Sequence, residues 1–425
     1  MKRRSETARR SKTSSRSAEL TTVVSLLYLA VTGSALPSLD LSLPPLPWKT
    51  SMPPLPENIT MGSTDETPIP LVVTNACPET IWPGIGTQNG IGPGTGGFML
   101  EPRSSRKMFV SPNWQGRVWG RTNCSFNEDG TGPSNLNGVN GNGAACTTGD
   151  CFGRLDCKFT GQVPTTLAEF NLIGGVDGKQ TFYDISLVDG YNLPLGIVYI
   201  PADNTTFVPP NLTNCACIAS SGYLGEPSMS GLAYSNESFP IPYEPAQTND
   251  RVGSWCPWDL QKFPPSKPGN GIFPYPDDHI QRPIFDPCLS ACSATNNPRD
   301  CCTGDFNDPN ICQPSLYSAQ AKRVCPDAYS YAFDDQTSTF IIPTGGGWEV
   351  VFCPQGRSTN IIAVLGAELH ALASGGKVTH DMFAAVTNKT YIELERPGRS
   401  GVGRLRPARF VRLMLMTIGL VLVLA

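Results

Sequence analysis

Between about residues 70 and 355 the apolar positions come in short runs, and no stretch sustains the 3.6-residue spacing of an amphipathic helix. Strand-like runs recur in "IPLVVTNACPETIWPGIG", "KMFVSP", "GRVWGRTNC", "TLAEFNLI", "TFYDISLVDG", "LGIVYIP", "STFIIP" and "GWEVVFCP", each bounded by Gly, Pro, Asn or Asp. Many short strands with turn punctuation predict a mainly β domain, a sandwich or flattened barrel. A short helix is predicted near "PSLYSAQAKRVCP", and "NIIAVLGAELHALASGG" admits another. Residues 226–250 and 262–287 break the strand pattern and read as surface insertions. From 355 to 408 the chain is polar and thin in core residues, which predicts a separate stalk.

The two ends follow other patterns. Residues 1–35 place a basic segment before "LTTVVSLLYLAVTG", a secretory signal with cleavage near Ala35, with a retained signal anchor as the alternative. Residues 36–69 are a Pro/Ser/Thr-rich spacer of polyproline-like composition. Residues 409–425 form a hydrophobic tail, short for a spanning helix. It fits in outline a removed lipid-anchor signal of the GPI type, with a membrane tail as the alternative. Asn58, Asn204, Asn211, Asn236 and Asn388 lie in glycosylation sequons, whereas Asn123 abuts Cys124 and is set aside.

Charge narrows the partners. Residues 36–395 hold 19 Lys and Arg against 34 Asp and Glu, a net of −15, so no basic nucleic-acid footprint is present. An acidic surface favours neutral or cationic partners. The chain is expected to be a monomer without a cofactor, held to a membrane through its tail or a lipid.

Fifteen cysteines in a secreted chain predict disulfides. "GNGAACTTGDCFGRLDC" spaces its cysteines by four and five intervening residues, unlike paired zinc ligands, and no His lies nearby. No His is recognisably placed to activate a catalytic thiol. Asp150 is expected to tie the backbone of this loop.

The run "CTTGDCFGRLDC" resembles the signature of the thaumatin-like family. "RVWGRTNC", "PTTLAEFNL", "YDISLVDGYNLPL", "WCPWDL", "CCTGDF" and "RVCPDAYSYAFDDQTSTF" follow in family order through "VVFCP", so the resemblance covers about residues 70–354. One departure precedes Cys146, where family glycine positions hold Asn142 and Ala144. The resemblance implies a flattened β-sandwich with a disulfide-rich, loop-rich second lobe over about 213–330. It also implies the pairs Cys77–Cys353, Cys124–Cys146, Cys151–Cys157, Cys217–Cys325, Cys256–Cys288, Cys292–Cys301 and Cys302–Cys312. Cys215 is left free because its family partner position holds Ile342, although Cys215 and Cys217 are exchangeable in this assignment.

Family members line an inter-lobe cleft with one Arg, one Glu and three Asp. The matching positions are Arg117, Glu169, Asp184, Asp189 and Asp334, with Arg121 and Asp327 as alternatives for the first and last. Crowded carboxylates push their pKa values apart, as glycosidic hydrolysis requires. The resemblance therefore implies a possible endo-β-1,3-glucanase, with Glu169 as general acid and Asp184 as base or nucleophile, acting in wall remodelling or antifungal defence. Glucan binding without turnover and membrane perturbation are the alternatives. Phe170, Tyr183 and Tyr191 lie beside the acidic positions and are candidates to stack on sugar rings, or else to fill the core.

Overall fold

A computed structural model of the chain describes residues 67–133, 143–158, 160–201, 207–225, 239–263 and 287–387. The expected leader, most of the spacer, much of both insertions and the C-terminal tail lie outside the described residues, as do Asn58, Asn204, Asn236 and Asn388.

Ten strands are described: β1 Ile69–Asn75, β2 Gly84–Asn89, β3 Ser104–Val110, β4 Gln115–Trp119, β5 Leu167–Gly174, β6 Gln180–Ser186, β7 Leu195–Ile200, β8 Ala216–Cys217, β9 Phe340–Pro343 and β10 Gly347–Phe352. They form two five-stranded sheets, ordered β3-β1-β10-β7-β8 and β2-β4-β5-β6-β9. Pairing is antiparallel except between β1 and β10, which run parallel with Val73 opposite Val350. The sheets face one another as a β-sandwich. Their shared core sets Trp348 of β10 against Tyr183 of β6, with ring centroids 4.5 Å apart, and against Phe170 of β5 at 5.4 Å.

Among the described residues eight α-helices accompany the sheets: α1 Pro210–Thr213, α2 Asn249–Ser254, α3 Ala291–Thr295, α4 Pro298–Cys301, α5 Leu316–Val324, α6 Asp335–Ser338, α7 Ile361–Gly375 and α8 His380–Thr387. The region carrying α1 to α5 has little regular structure, and crosslinks Cys217–Cys325, Cys256–Cys288, Cys292–Cys301 and Cys302–Cys312 hold it. Cys77–Cys353, Cys124–Cys146 and Cys151–Cys157 complete seven disulfides. These are the pairs the resemblance implies, and Cys215 is reduced and buried. Asp150 accepts from the backbone N–H groups of Ala145, Cys146 and Gly153, closing the loop around Cys151.

Three expectations are corrected here. Residues 361–387 are not a free stalk: Ile361, Leu365, Leu369 and Leu372 of α7, with Met382 and Val386 of α8, enter the main core. A helix needs only one apolar stripe to dock, so a polar average conceals it. Asp327 caps α7, accepting from the N–H groups of Ile361 at 2.8 Å and Ile362 at 3.0 Å, and Gln180 donates to the Ala373 carbonyl at 2.6 Å. The described end of the first insertion is likewise structural, since Gln247 is buried and its amide donates to Ile218 O and Val324 O. The sequon Asn211 does not fit a glycan either. Its side chain is 1% exposed and its Nδ2 donates to Val386 O at 2.9 Å, so the nitrogen a glycan would occupy is already used. No helix among the described residues is long and apolar enough to cross a membrane.

Candidate functional site

The outer face of the second sheet carries the site, and strand register builds it. Side chains alternate faces along a strand, so Phe170 and Tyr183 point into the sandwich while Glu169 and Asp184 point out. Glu169 lies directly opposite Arg117 on β4 and directly opposite Asp184 on β6, which makes one row across three strands. Arg117 Nη2 and Glu169 Oε1 are 3.3 Å apart. Together with Asp189, just beyond β6, and Tyr329 from the crosslinked region, this row lines a cleft of about 390 Å³.

The neighbours of the two central carboxyls differ. Burial raises Glu169 above the ordinary carboxylate range, opposed by Arg117, with Asp189 adding to the rise and a Ser186 hydrogen bond opposing it. Asp184 is pushed well above that range by burial and by the charge of Glu169, with Arg117 opposing. Its Oδ1 is sealed from solvent and has no hydrogen-bond partner among the described residues. Burial also raises Asp189, against the pull of Arg117. Desolvation of carboxylates disfavours the charged form, and a shared cationic partner sorts which of them keeps its proton. Arg117 contacts Glu169 directly and opposes its rise, which leaves Asp184 the more strongly raised of the two.

Of the expected cleft residues, Arg117, Glu169, Asp184 and Asp189 come together and Asp334 does not. The Asp334 carboxylate accepts from Ser330 N and Oγ and from Thr337 Oγ1, and pairs with Lys322 at 3.3 Å, which closes its own loop. Arg121 is excluded as the cleft arginine, because its buried guanidinium donates to the carbonyls of Trp82, Pro83, Arg154 and Leu155. Burial lowers its pKa to about 10. Asp327 is spent on capping α7.

The three aromatic candidates belong to the core rather than to a sugar platform. Phe170 is 3% exposed and Tyr183 1%, and the Tyr183 hydroxyl donates to Thr213 O at 2.8 Å. Tyr191 is fully buried, its hydroxyl 2.8 Å from Ser220 Oγ. Phe170 touches the floor of the cleft but is almost wholly buried beneath it, and the more exposed aromatics of the lining are Phe182 and Tyr329, joined by the carboxamides Gln115 and Asn171. Counting two residues from Asp184, not one, reaches Phe182. The same step from Glu169 reaches Asn171.

A family model described as "Thaumatin family" matches residues 75–354. Among curated proteins, the chain is similar to "Pathogenesis-related protein 5" of Arabidopsis thaliana, 36% identical over 282 residues, covering 66% of this chain and 88% of that protein. It is similar to "Pathogenesis-related thaumatin-like protein 3.5" of Cryptomeria japonica, 34% identical over 286 residues with 66% and 88% covered. A third relative, "Glucan endo-1,3-beta-glucosidase" of Prunus avium, is 33% identical over 283 residues with the same two shares.

Proposed function

The chain belongs to the thaumatin family, and from that premise we propose that its acidic cleft binds β-1,3-glucan and hydrolyses it. The observation that supports this most is the Arg117–Glu169–Asp184 row, which gives two adjacent carboxyls unlike neighbours. A relative named as a glucan endo-1,3-beta-glucosidase points to the same substrate.

The sequence-based roles are exchanged in this proposal. Asp184 keeps its proton and donates it to the glycosidic oxygen, while Glu169, paired with Arg117, acts as the anionic base or nucleophile. Directly opposed residues on antiparallel strands have Cβ atoms about 4.5–5.5 Å apart. That is nearer the roughly 5–5.5 Å carboxyl spacing of retaining glycosidases than the 6.5–9.5 Å or so of inverting ones. Arg117 also offers hydrogen bonds to sugar hydroxyls at the cleft wall. The seven disulfides fit an oxidising compartment, so the proposed place of action is the cell exterior or wall, with anchoring through the C-terminal tail.

Release of reducing ends from soluble β-1,3-glucan tests the proposal. Wild type should release them, and Glu169→Gln and Asp184→Asn should each lose at least about a hundredfold in rate, the lower range for removing acid–base catalysis. Equal rates in all three would sink the assignment. A second reading, glucan binding without turnover, is favoured by one feature: both carboxyls rise from neighbouring strands of one wall instead of facing each other across the cleft. Retained binding with no reducing ends from wild type decides for that reading.

A further inference from the structure

A second row crosses the same face of the sheet beside the acidic one. Gln115 on β4 lies opposite Asn171 on β5, and Asn171 lies opposite Phe182 on β6. Each residue stands two positions along its strand from Arg117, Glu169 or Asp184, so the rows run parallel about 7 Å apart, near the breadth of one pyranose ring. Gln115, Asn171 and Phe182 are half-buried and line the cleft with Gln88. The structure gives the side-chain amides of Gln115 and Asn171 no hydrogen-bond partner among the described residues.

A close approach fixes the aromatic. The strand register shifts between Asn171 and Gly174, and a Cβ at Gly174 would fall 2.5 Å from Cε2 of Phe182 and 3.2 Å from Nδ2 of Asn171. Glycine at that position leaves room for the ring and the amide to lie together over the β5–β6 turn.

We propose that the Gln115–Asn171–Phe182 row is a subsite for one uncharged hexose unit, adjoining the acidic row. This rests on the glucan proposal above and adds where a neighbouring sugar sits. Phe182 presents a ring edge and face to the apolar C–H surface of the sugar. The two carboxamides, each with donors and an acceptor, meet its hydroxyls. The row contains no ionisable group, so it selects a neutral sugar, whereas the row beside it supplies the charge chemistry.

The test measures calorimetric affinity for a β-1,3-linked glucohexaose in the full chain carrying Asp184→Asn, chosen to prevent turnover. Adding Phe182→Ala should weaken binding about tenfold and Asn171→Ala about threefold, as for one lost aromatic contact and one lost hydrogen bond. Phe182→Trp should keep affinity within about threefold of the parent, which a general unfolding defect would not allow. Gly174→Ala, which leaves the ring present but displaced, should also weaken binding. If the parent binds the hexaose and both Phe182→Ala and Gly174→Ala bind it equally well, the subsite is overturned while the glucan proposal stands. If the parent does not bind the hexaose, the glucan proposal falls and the subsite with it.

Discussion

Replacing Asp184 by Asn should make the protein more stable at neutral pH while removing its activity. In the folded chain the Asp184 carboxyl stands beside Glu169 on the outer face of the second sheet, with Oδ1 sealed and without a donor among the described residues. Its pKa is raised above the unfolded value by burial and by Glu169. Below the ordinary carboxylate range the group is protonated in both states, and wild type and variant differ little. As pH rises through that range the unfolded chain gives up the proton first, so wild type loses stability until the folded value is passed. Asparagine removes this penalty because it has no proton to lose in either state. A pKa raised by folding costs about 1.4 kcal/mol per unit once the pH exceeds both values, so the variant should gain about 1–3 kcal/mol at pH 7.5 and close to nothing at pH 3.5. In a domain of this size, 1 kcal/mol moves Tm by about 2 °C, giving a shift of about 2–6 °C. Urea unfolding of both proteins at the two pH values, with disulfides intact, measures the difference directly. A variant less stable than wild type at pH 7.5, or a gap that does not change with pH, would refute the account of Asp184 as a buried proton carrier.

Two further outcomes follow from the packing. Leu372→Ala, at a fully buried position of α7, should cost about 2–5 kcal/mol in urea unfolding; a change under about 0.5 kcal/mol would mean that the C-terminal helices are not docked in solution. Thiol titration should find no reactive group in the native protein and one per chain after denaturation without reductant, because Cys215 is buried and desolvation pushes its thiol well above the usual range.

Turn residues bracket each strand run, which made the sandwich legible in the sequence, whereas the acidic row was legible only through the family resemblance; strand alternation then sets Glu169 and Asp184 on the outer face. The aromatic candidates went astray for the same physical reason. Phe170 and Tyr183 are next to the acids in sequence and therefore on the opposite face, while Phe182, one residue further, shares theirs. Asp334 could not be told from a cleft residue by its type, because what removes it is a set of partners from Ser330, Thr337 and Lys322 that only the folded loop assembles. The docking of α7 was hidden differently. The helix itself is rich in apolar residues but sits in a segment that is polar on the whole, and part of the surface that receives it, α1, lies about 150 residues earlier in the chain. The exchange of acid and base roles proposed above turns on which carboxyl Arg117 touches, and only the folded sheet decides that.

The parallel pairing of β1 and β10, with Cys77 joined to Cys353 at their far end, has a mechanical consequence. Tension pulling the chain before Ile69 against the chain after Phe352 would load this ladder in shear, with its hydrogen bonds sharing the force together instead of opening one at a time. Beyond Cys77 the covalent route for that force passes straight through the sulfur bridge to Cys353. The chain between them, a sequence separation of 276 with the cleft included, is thereby bypassed, so a tug on both flanks would reach neither the acidic row nor the uncharged row beside it.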